Sequence, residues 1–387
     1  MKRGFTGRYQ TNVIGGETIR AFIPELLPPQ PPLELTDQRQ RLLERATLAL
    51  GRLDSVTLLL PDPDLFLYAY VRREAVLSSQ IEGTQSTLDQ LLLFEIEEAP
   101  GVPLDDVTEV SNYVAALNHG IQRLREGFPL SNRLIREMHA LLLKSGRGNE
   151  RTPGEFRRSQ NWIGGTRPGN ALFVPPPPEQ VEDCMAALER FLHDEGNPYP
   201  ALIKAALAHV QFETIHPFLD GNGRIGRLLI AFILHHDRSL SQPLLYLSLY
   251  FKQHRSEYYR LLDAVRFDGD WEAWLDFFLE GVEQTATHAV ETAKRLVALF
   301  QQGEQAIRKA KRRAATILQV FAVLQKRPLV NLNQMCQHTE LSFPAVAKAM
   351  EELLRLGIAR EITGKRRDRV FAYDDYLKIL SEGTEPL

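Results

Sequence analysis

The chain has 387 residues, 25% of them charged and 44% hydrophobic, with a formal net charge of −3. That length suits two or three soluble domains, and so small a net charge excludes a global pull toward nucleic acid, leaving only local patches. Cys184 and Cys336 stand far apart without metal-ligand spacing, which argues against a disulfide scaffold and for a reduced, cytoplasmic protein; the basic start Met1-Lys2-Arg3 is followed by no apolar leader-like run, and no uncharged segment reaches membrane-spanning length.

Residues 1 to about 35 lack clear periodicity and carry Gly15-Gly16 and Pro28-Pro29-Gln30-Pro31-Pro32; an extended arm packed on the body is expected. Thr36 is placed to cap a helix running to about Arg52. Pro61 and Pro63 break the chain, Leu65 to Glu82 reads as the next helix, and Gly83 is suited to end it in the left-handed conformation. Thr87-Leu88-Asp89-Gln90 is a capping box that opens another helix. After a break at Pro100 to Pro103, helices are expected over about Val107–Glu126, Asn132–Lys144 with Ser131 as cap, and Glu179–Asp194. His139, His193 and His235-His236 fall inside helical runs with no second ligand at useful spacing, and are assigned to structure or surface.

Before the last of these helices lies Arg157-Arg158-Ser159-Gln160-Asn161-Trp162-Ile163-Gly164-Gly165, then a polar Gly/Pro loop, then Ala171-Leu172-Phe173-Val174 and the prolines 175–178. Two short β-prone runs around a Gly/Pro turn suggest a hairpin, with an ordinary loop as the alternative. The prolines suit a stiff polyproline strut.

The densest chemistry follows at His216-Pro217-Phe218-Leu219-Asp220-Gly221-Asn222-Gly223-Arg224-Ile225-Gly226-Arg227. A histidine ends one apolar helical run (Ala205 to Ile215), and a Gly- and Asn-rich turn opens a second (Ile225 to Ile233). The turn therefore sits at a helix N-terminus, where unpaired N–H groups and the dipole favour an anion. Gly221 and Gly223 let the backbone curl into a nest of N–H groups that fits phosphate oxygens. Arg224 and Arg227 are three apart and project from one side of the first turn, able to fork onto phosphates. Asp220 is an oxygen ligand of the kind Mg²⁺ takes when it bridges phosphates, and His216 suits a general base. Two solvated arginines around a buried histidine would be the bland alternative, but so many coherent residue types in one short stretch favour a site.

Beyond it, Tyr258 and Tyr259 are adjacent on a helical stretch and cannot share a face, so one packs while the other reaches a cleft; both as core aromatics is the plainer reading. Trp271 to Leu279 reads as an amphipathic helix closing the core, followed by a long polar helix from about Glu283 to Arg313 with a basic end. Helices over about Ala314–Gln325, Leu332–His338 and Ser342–Leu356, stopped at Gly357, precede two strand-like runs, Ile358 to Ile362 and Arg369 to Tyr373, joined by the basic tip Thr363 to Asp368. This looks like a winged helix-turn-helix, although Glu351 and Glu352 beside Lys348 and Arg355 keep the third helix from being strongly basic.

The 216–227 stretch resembles the signature of Fic-domain proteins, complete from His-Pro-Phe to the second arginine. The resemblance implies transfer of AMP from MgATP to a Ser, Thr or Tyr hydroxyl of a protein, the chain itself included. His216 would take the hydroxyl proton, Asp220 would hold Mg²⁺, and Asn222 with the Gly221 and Gly223 backbone would bind the α-phosphate. Arg224 and Arg227 would bind the β- and γ-phosphates, by a mechanism of positioning and charge neutralisation. Ser78-Ser79-Gln80-Ile81-Glu82-Gly83 resembles the inhibitory motif of regulated Fic proteins, in which Glu82, with Ser78 opening the motif, would pair with Arg227 and deny it to the γ-phosphate. By the same resemblance Ile163, Gly164 and Gly165 lie on a β-hairpin flap lining the nucleotide and target cleft, and Tyr258 and Tyr259 flank the adenosine. Arg266 stands where some relatives have Asn, which leaves that contact open.

The expected architecture is mainly α: an N-terminal arm and inhibitory helical region (1–105), a Fic helical core with its flap (106–290), a connector helix (291–313) and a winged helix-turn-helix-like domain (314–387). Rival readings are removal of AMP or transfer of another phosphate-containing group at the same site, and a DNA-binding regulator with a nucleotide-sensing core. A homodimer is compatible with the tail, DNA binding is the lesser alternative to protein contact there, and no membrane partner is expected.

Overall fold

The computed structural model describes residues 2–59, 63–97, 104–146, 148–309, 314–365 and 367–386. The expected breaks at Pro61 and at Pro100 to Pro103, the basic run from Ala310 to Arg313, and Arg366 of the wing tip lie outside the described residues.

In chain order, strands β1 (Gly7–Ile14) and β2 (Glu17–Pro24) are followed by helices α1 (Asp37–Leu59), α2 (Pro63–Ile81), α3 (Leu88–Glu97), α4 (Leu104–Arg125), α5 (Asn132–Leu142), α6 (Pro178–His193), α7 (Ala201–Ile215), α8 (Asn222–His236), α9 (Ser248–Gln253), α10 (Arg255–Asp268) and α11 (Trp271–Lys309). Then come α12 (Ala314–Lys326), β3 (Leu329–Asn331), α13 (Leu332–Thr339), α14 (Phe343–Arg355), β4 (Arg360–Glu361), β5 (Val370–Ala372) and α15 (Asp374–Ser381). The expected caps are present at several starts. Ser131 Oγ accepts from Leu134 N–H at 3.4 Å ahead of α5, and the Thr87–Gln90 box closes both ways, at 2.9 and 3.3 Å, ahead of α3.

The chain forms two compact units, each discontinuous in sequence: Met1–Asp54 with Ser111–Ala286, and Ser55–Val110 with Thr287–Leu387. The first holds the 216–227 stretch and the expected flap. Its centre is the pair α7 and α8, which pack on each other and are buried almost all round, as befits helices apolar on every face. Trp274 closes this core with its ring fully buried and its indole N–H on the Ala206 carbonyl at 2.9 Å.

The second unit holds α2 with Ser78 and Glu82, and the C-terminal elements. There β5 pairs antiparallel with both β3 and β4 in a three-stranded sheet beside α12, α13 and α14. Gly83 ends α2 at φ 99° as expected, and Ser78 is buried whereas Glu82 is exposed. The buried amide of Gln80 donates to the carbonyls of Ser86 and Thr384, both at 2.8 Å, so the end of α2 is tied to the chain's own C-terminal tail.

Two expectations need correction. The arm is not simply extended: β1 and β2 form a hairpin from Gly7↔Pro24 to Ile14↔Glu17, turned by Gly15 and Gly16, both at positive φ. A two-glycine turn of that kind matches strand twist, and the alternation in Thr18 to Ile23 is hidden because β2 is buried on both faces along most of its second half. The arm does pack on the body, Arg3 pairing with Glu272 at 2.6 Å. Second, the two helices expected on either side of residue 281 are one, α11. Gly281 lies inside this helix, and its bareness is needed for contact: a Cβ there would fall 2.7 Å from the Tyr250 ring. The strand β3 and the last helix α15 were not expected either.

Gly281→Ala should therefore destabilise the protein despite a gain in helix propensity of about 1 kcal/mol. The Tyr250 ring is buried against Phe277 and His254 and cannot swing clear, and overpacking of this kind costs about 1–3 kcal/mol. A urea titration that finds the variant more stable than wild type would overturn this account.

Candidate nucleotide site

The site is built from the end of one buried helix and the start of the next. His216 N–H closes the last bond of α7, to Phe212 O at 2.9 Å. A following proline disfavours the α region and steers the residue before it toward extended backbone, so α7 stops at Ile215; His216 stands instead in the left-handed region, at φ 49°, ψ 60°. Phe218 then buries its ring flat against His139, with centroids 3.7 Å apart and planes 6° off parallel. Asn222 staples the turn: its Oδ1 accepts from Phe218 N–H and its Nδ2 donates to Phe218 O, both at 2.8 Å. Gly221 caps α8 at φ 78°, where a Cβ would also come within 3.1 Å of Leu142 Cδ2. Its N–H donates to Asp220 Oδ1 at 2.6 Å.

Arg224 and Arg227 follow in the first turns of α8, both buried. Arg224 reaches back to Asp220 Oδ1 at 3.4 Å; its side chain is 2% exposed against 38% for Asp220, so the carboxylate is the open end of this pair. The chemistry gathered here is a histidine ring, an accessible carboxylate, two buried guanidiniums and the N-terminus of a buried helix.

The segment before the flap holds this turn from behind. Arg157, 2% exposed, donates from Nε to His216 O at 2.9 Å and from Nη2 to Pro176 O at 2.5 Å and Ile215 O at 3.3 Å. Its own N–H donates to Pro217 O at 2.9 Å. Asn161 Nδ2 donates to His216 O at 3.3 Å and Phe218 O at 2.9 Å. Burial pushes the Arg157 guanidinium down to about 10, which leaves it charged at neutral pH. Arg266 serves the same helix end, donating to Glu213 O and Thr214 Oγ1 at 3.0 and 3.2 Å while lying 4.2 Å over the Phe173 ring.

Two buried histidines complete the frame. His139 Nδ1 accepts from Gly154 N–H at 2.9 Å, so Nε2 carries the proton and donates to Asp220 O at 3.0 Å. Burial drives His139 down to about 4 and His209 to about 3. His209 Nδ1 donates to Gly226 O at 2.9 Å and its Nε2 accepts from the Tyr258 hydroxyl at 2.8 Å.

Of the residues expected from sequence, His216, Asp220, Gly221, Asn222, Gly223, Arg224 and Arg227 come together at this helix junction. Ile163 pairs with Phe173 in a single antiparallel bridge, with Gly164 and Gly165 turning just beyond it at positive φ. The hairpin is thus present as one bridge and not as two regular strands. Phe173 and Val174 are also reached from the other side, Phe22 N–H of β2 donating to Val174 O at 2.9 Å. The tyrosines divide as adjacency requires: Tyr258 is 1% exposed with its hydroxyl committed to His209, and Tyr259 is 39% exposed. Ser78 and Glu82 belong to the second compact unit. Sequence reasoning gave no role to Arg157, Asn161 or Arg266. Nothing in sequence separates buried Arg157 from its neighbour Arg158, whose side chain is 88% exposed; only the tertiary setting does.

Residues 40–122 match the Fic/DOC family N-terminal profile and residues 129–234 the Fic/DOC family profile. The chain is 32% identical over 208 residues to the protein adenylyltransferase Fic of Drosophila grimshawi and 31% identical to that of Drosophila melanogaster. Those matches cover 53% of this chain and 40% and 39% of the two relatives, so it spans well under two thirds of their length. Its fold is similar to that of a Fic family protein from Desulfovibrio desulfuricans, with a TM-score of 0.58 and 20% identity over 89% of this chain and 98% of that one. A Fic domain containing signaling protein from Bacteroides thetaiotaomicron aligns with a TM-score of 0.51 and 23% identity over 65% and 97% of the two chains. The fold and the junction of α7 with α8 define a Fic-type helical protein. The chain carries a Fic/DOC family N-terminal domain, residues 40–122, and a Fic/DOC family domain, residues 129–234.

The buried histidines set an acid response. Above pH 6.5 both states hold them neutral; below it the unfolded chain takes up a proton that folded His139 refuses until about pH 4. Stability should fall as pH drops through that window, by up to about 1.4 kcal/mol per pH unit for one such group. Urea midpoints at pH 7, 6 and 5 check this: His139→Gln should flatten the decline, and a variant with the full wild-type slope would refute the assignment.

Proposed function

We propose that this chain is an autoinhibited protein adenylyltransferase that moves AMP from MgATP to a Ser, Thr or Tyr hydroxyl of a protein, itself included. The observation that carries the reading is His216, anchored at the end of α7, directly ahead of the left-handed Gly221 and the arginine-bearing start of α8. The naming of the Drosophila relatives as protein adenylyltransferases supports it.

In this reading a ring nitrogen of His216 takes the hydroxyl proton. The hydroxyl oxygen attacks the α-phosphorus in line, the bond from that phosphorus to the bridging oxygen of the β-phosphate breaks, and pyrophosphate leaves. Arg224 and Arg227 hold the β- and γ-phosphates, and the Gly221 and Gly223 backbone receives the α-phosphate. Asn222 contributes by shaping that backbone, since both ends of its amide are bound to Phe218. Asp220 fits a Mg²⁺ ligand by its accessible carboxylate; among the described residues no cluster of three or more His, Cys, Asp or Glu could hold a metal, so phosphates and water would supply the rest of its coordination. Mg²⁺, when bound, neutralises phosphate charge.

Ile163, Gly164 and Gly165 line the cleft on the flap, where a target segment pairs with main chain. Tyr259, the exposed member of the tyrosine pair, is the better candidate for contact with the adenosine. Glu82, in the motif opened by Ser78, competes with the γ-phosphate for Arg227. The C-terminal elements suit a winged-helix module that contacts protein, a second copy included, better than DNA: Arg355 on α14 is paired with Glu352 at 2.8 Å, and Glu351 is exposed beside Lys348. Among the described residues no helix is long and apolar enough to cross a membrane; a cytoplasmic setting completes the proposal.

Mass spectrometry of the chain after incubation with MgATP should find a covalent AMP adduct, absent in His216→Ala. Glu82→Gly should label more strongly than wild type. No adduct in either, or loss of AMP from a pre-modified protein instead, would replace transfer by the reverse reaction or by another donor.

A further inference from the structure

We propose that Arg157 is a positioning residue for His216, with Asn161 as its second point of support; this rests on the reading of His216 as the base. Four consecutive carbonyls, those of Ile215, His216, Pro217 and Phe218, each receive at least one donor from residue 157 or 161. Arg157 Nη2 meets the first at 3.3 Å, Arg157 Nε the second at 2.9 Å, Arg157 N–H the third at 2.9 Å, and Asn161 Nδ2 the second and fourth at 3.3 and 2.9 Å.

Three features separate this clamp from an ordinary helix cap. First, the carbonyl that takes a donor from both Arg157 and Asn161 belongs to His216 itself, whose left-handed backbone is unfavourable for a residue with a side chain and persists only where the surroundings fix it. Second, among the described residues every hydrogen bond of the Arg157 side chain goes to a main-chain carbonyl, those of Ser159 and Pro176 included, so the guanidinium is dedicated to backbone geometry. Lysine carries one nitrogen where these bonds need three directions. Third, the same five-residue segment runs on into Ile163 and the flap bridge to Phe173, and Gln160 Nε2 ties it to Pro175 O at 2.9 Å. The base and the stem of the flap are thereby set against one another by one buried cation. A base displaced by an ångström loses rate without losing substrate affinity.

The test uses the full chain in the Glu82→Gly background. Arg157→Met and Arg157→Lys are compared with Arg266→Met, which removes a buried arginine from the same helix end but has no bond to residues 215–218. Single-turnover AMP transfer at saturating MgATP, nucleotide affinity by calorimetry, and the His216 ring signal in histidine-labelled NMR (assigned by its loss in His216→Ala) are read on each. Both Arg157 variants should lose about 100-fold in rate with unchanged nucleotide affinity and a shifted or broadened His216 signal, while Arg266→Met moves neither rate nor signal. Should Arg157→Met fail to fold, Arg157→Lys and Asn161→Ala carry the comparison. An Arg157→Lys protein with wild-type rate and an unmoved ring signal overturns the proposal, as does an equal loss in Arg266→Met. A parent chain that transfers no AMP, but whose His216 signal still moves in the Arg157 variants, sinks the transferase reading and leaves the positioning role intact.

Discussion

The constraint on which the first unit turns is that α7 has to end inside the protein. The last carbonyls of any helix lack intrahelical partners, and burying them unpaired costs free energy comparable to lost hydrogen bonds. Water normally answers this at a surface. Here every residue from Ala205 to Ile215 is buried, and the answer comes from two arginines far apart in sequence. Arg266 takes the Glu213 carbonyl and Arg157 takes those of Ile215 and His216. Each is itself a buried charge, tolerable because its N–H groups are occupied and because a cation at a helix C-terminus meets the negative end of the dipole.

That solution decides where chemistry sits. Pro217 ends the helix, the left-handed His216 beside it is held by donors on its carbonyl, and the buried Phe218 ring on neutral His139 fixes the turn from the other side. Asn222 and Gly221 then launch α8. None of these contacts is optional for the next, which is why so much of the candidate site lies in twelve consecutive residues.

This continuity is also why the site was legible in the sequence and its supports were not. A helix end, a glycine turn and a helix start are local, and local rules of capping and proline placement read them directly. The same holds for the Thr87 box, the Ser131 cap and the stop at Gly83. What sequence hid is non-local. Arg157 and Arg158 are indistinguishable as text yet lie on opposite sides of the solvent boundary. Gly281 stands inside one helix where two were expected, and its reason, the Tyr250 ring, is supplied by α9. The hairpin of β1 and β2 escaped because half of β2 is buried on both faces, against the main chain of Val174 as well as the core, which removes the alternation that marks a strand. Adjacency on a helix says that Tyr258 and Tyr259 must divide, but only the His209 nitrogen decides which of the two is interior.

A last consequence concerns charge. The loop from His216 to Gly221 joins the negative end of one helix dipole to the positive end of the next. Left alone, the two partial charges would largely cancel for an anion arriving at the turn, because the unsatisfied carbonyls of α7 would stand as close to it as the N–H groups of α8. Arg224 and Arg227 break that balance from the α8 side. The start of α8, with Arg224 and Arg227 on its first turns, then acts with its full sign. Arg157 and Arg266 answer to the buried carbonyls at the end of α7, and the anion-binding end of the junction is left to α8 and its own arginines.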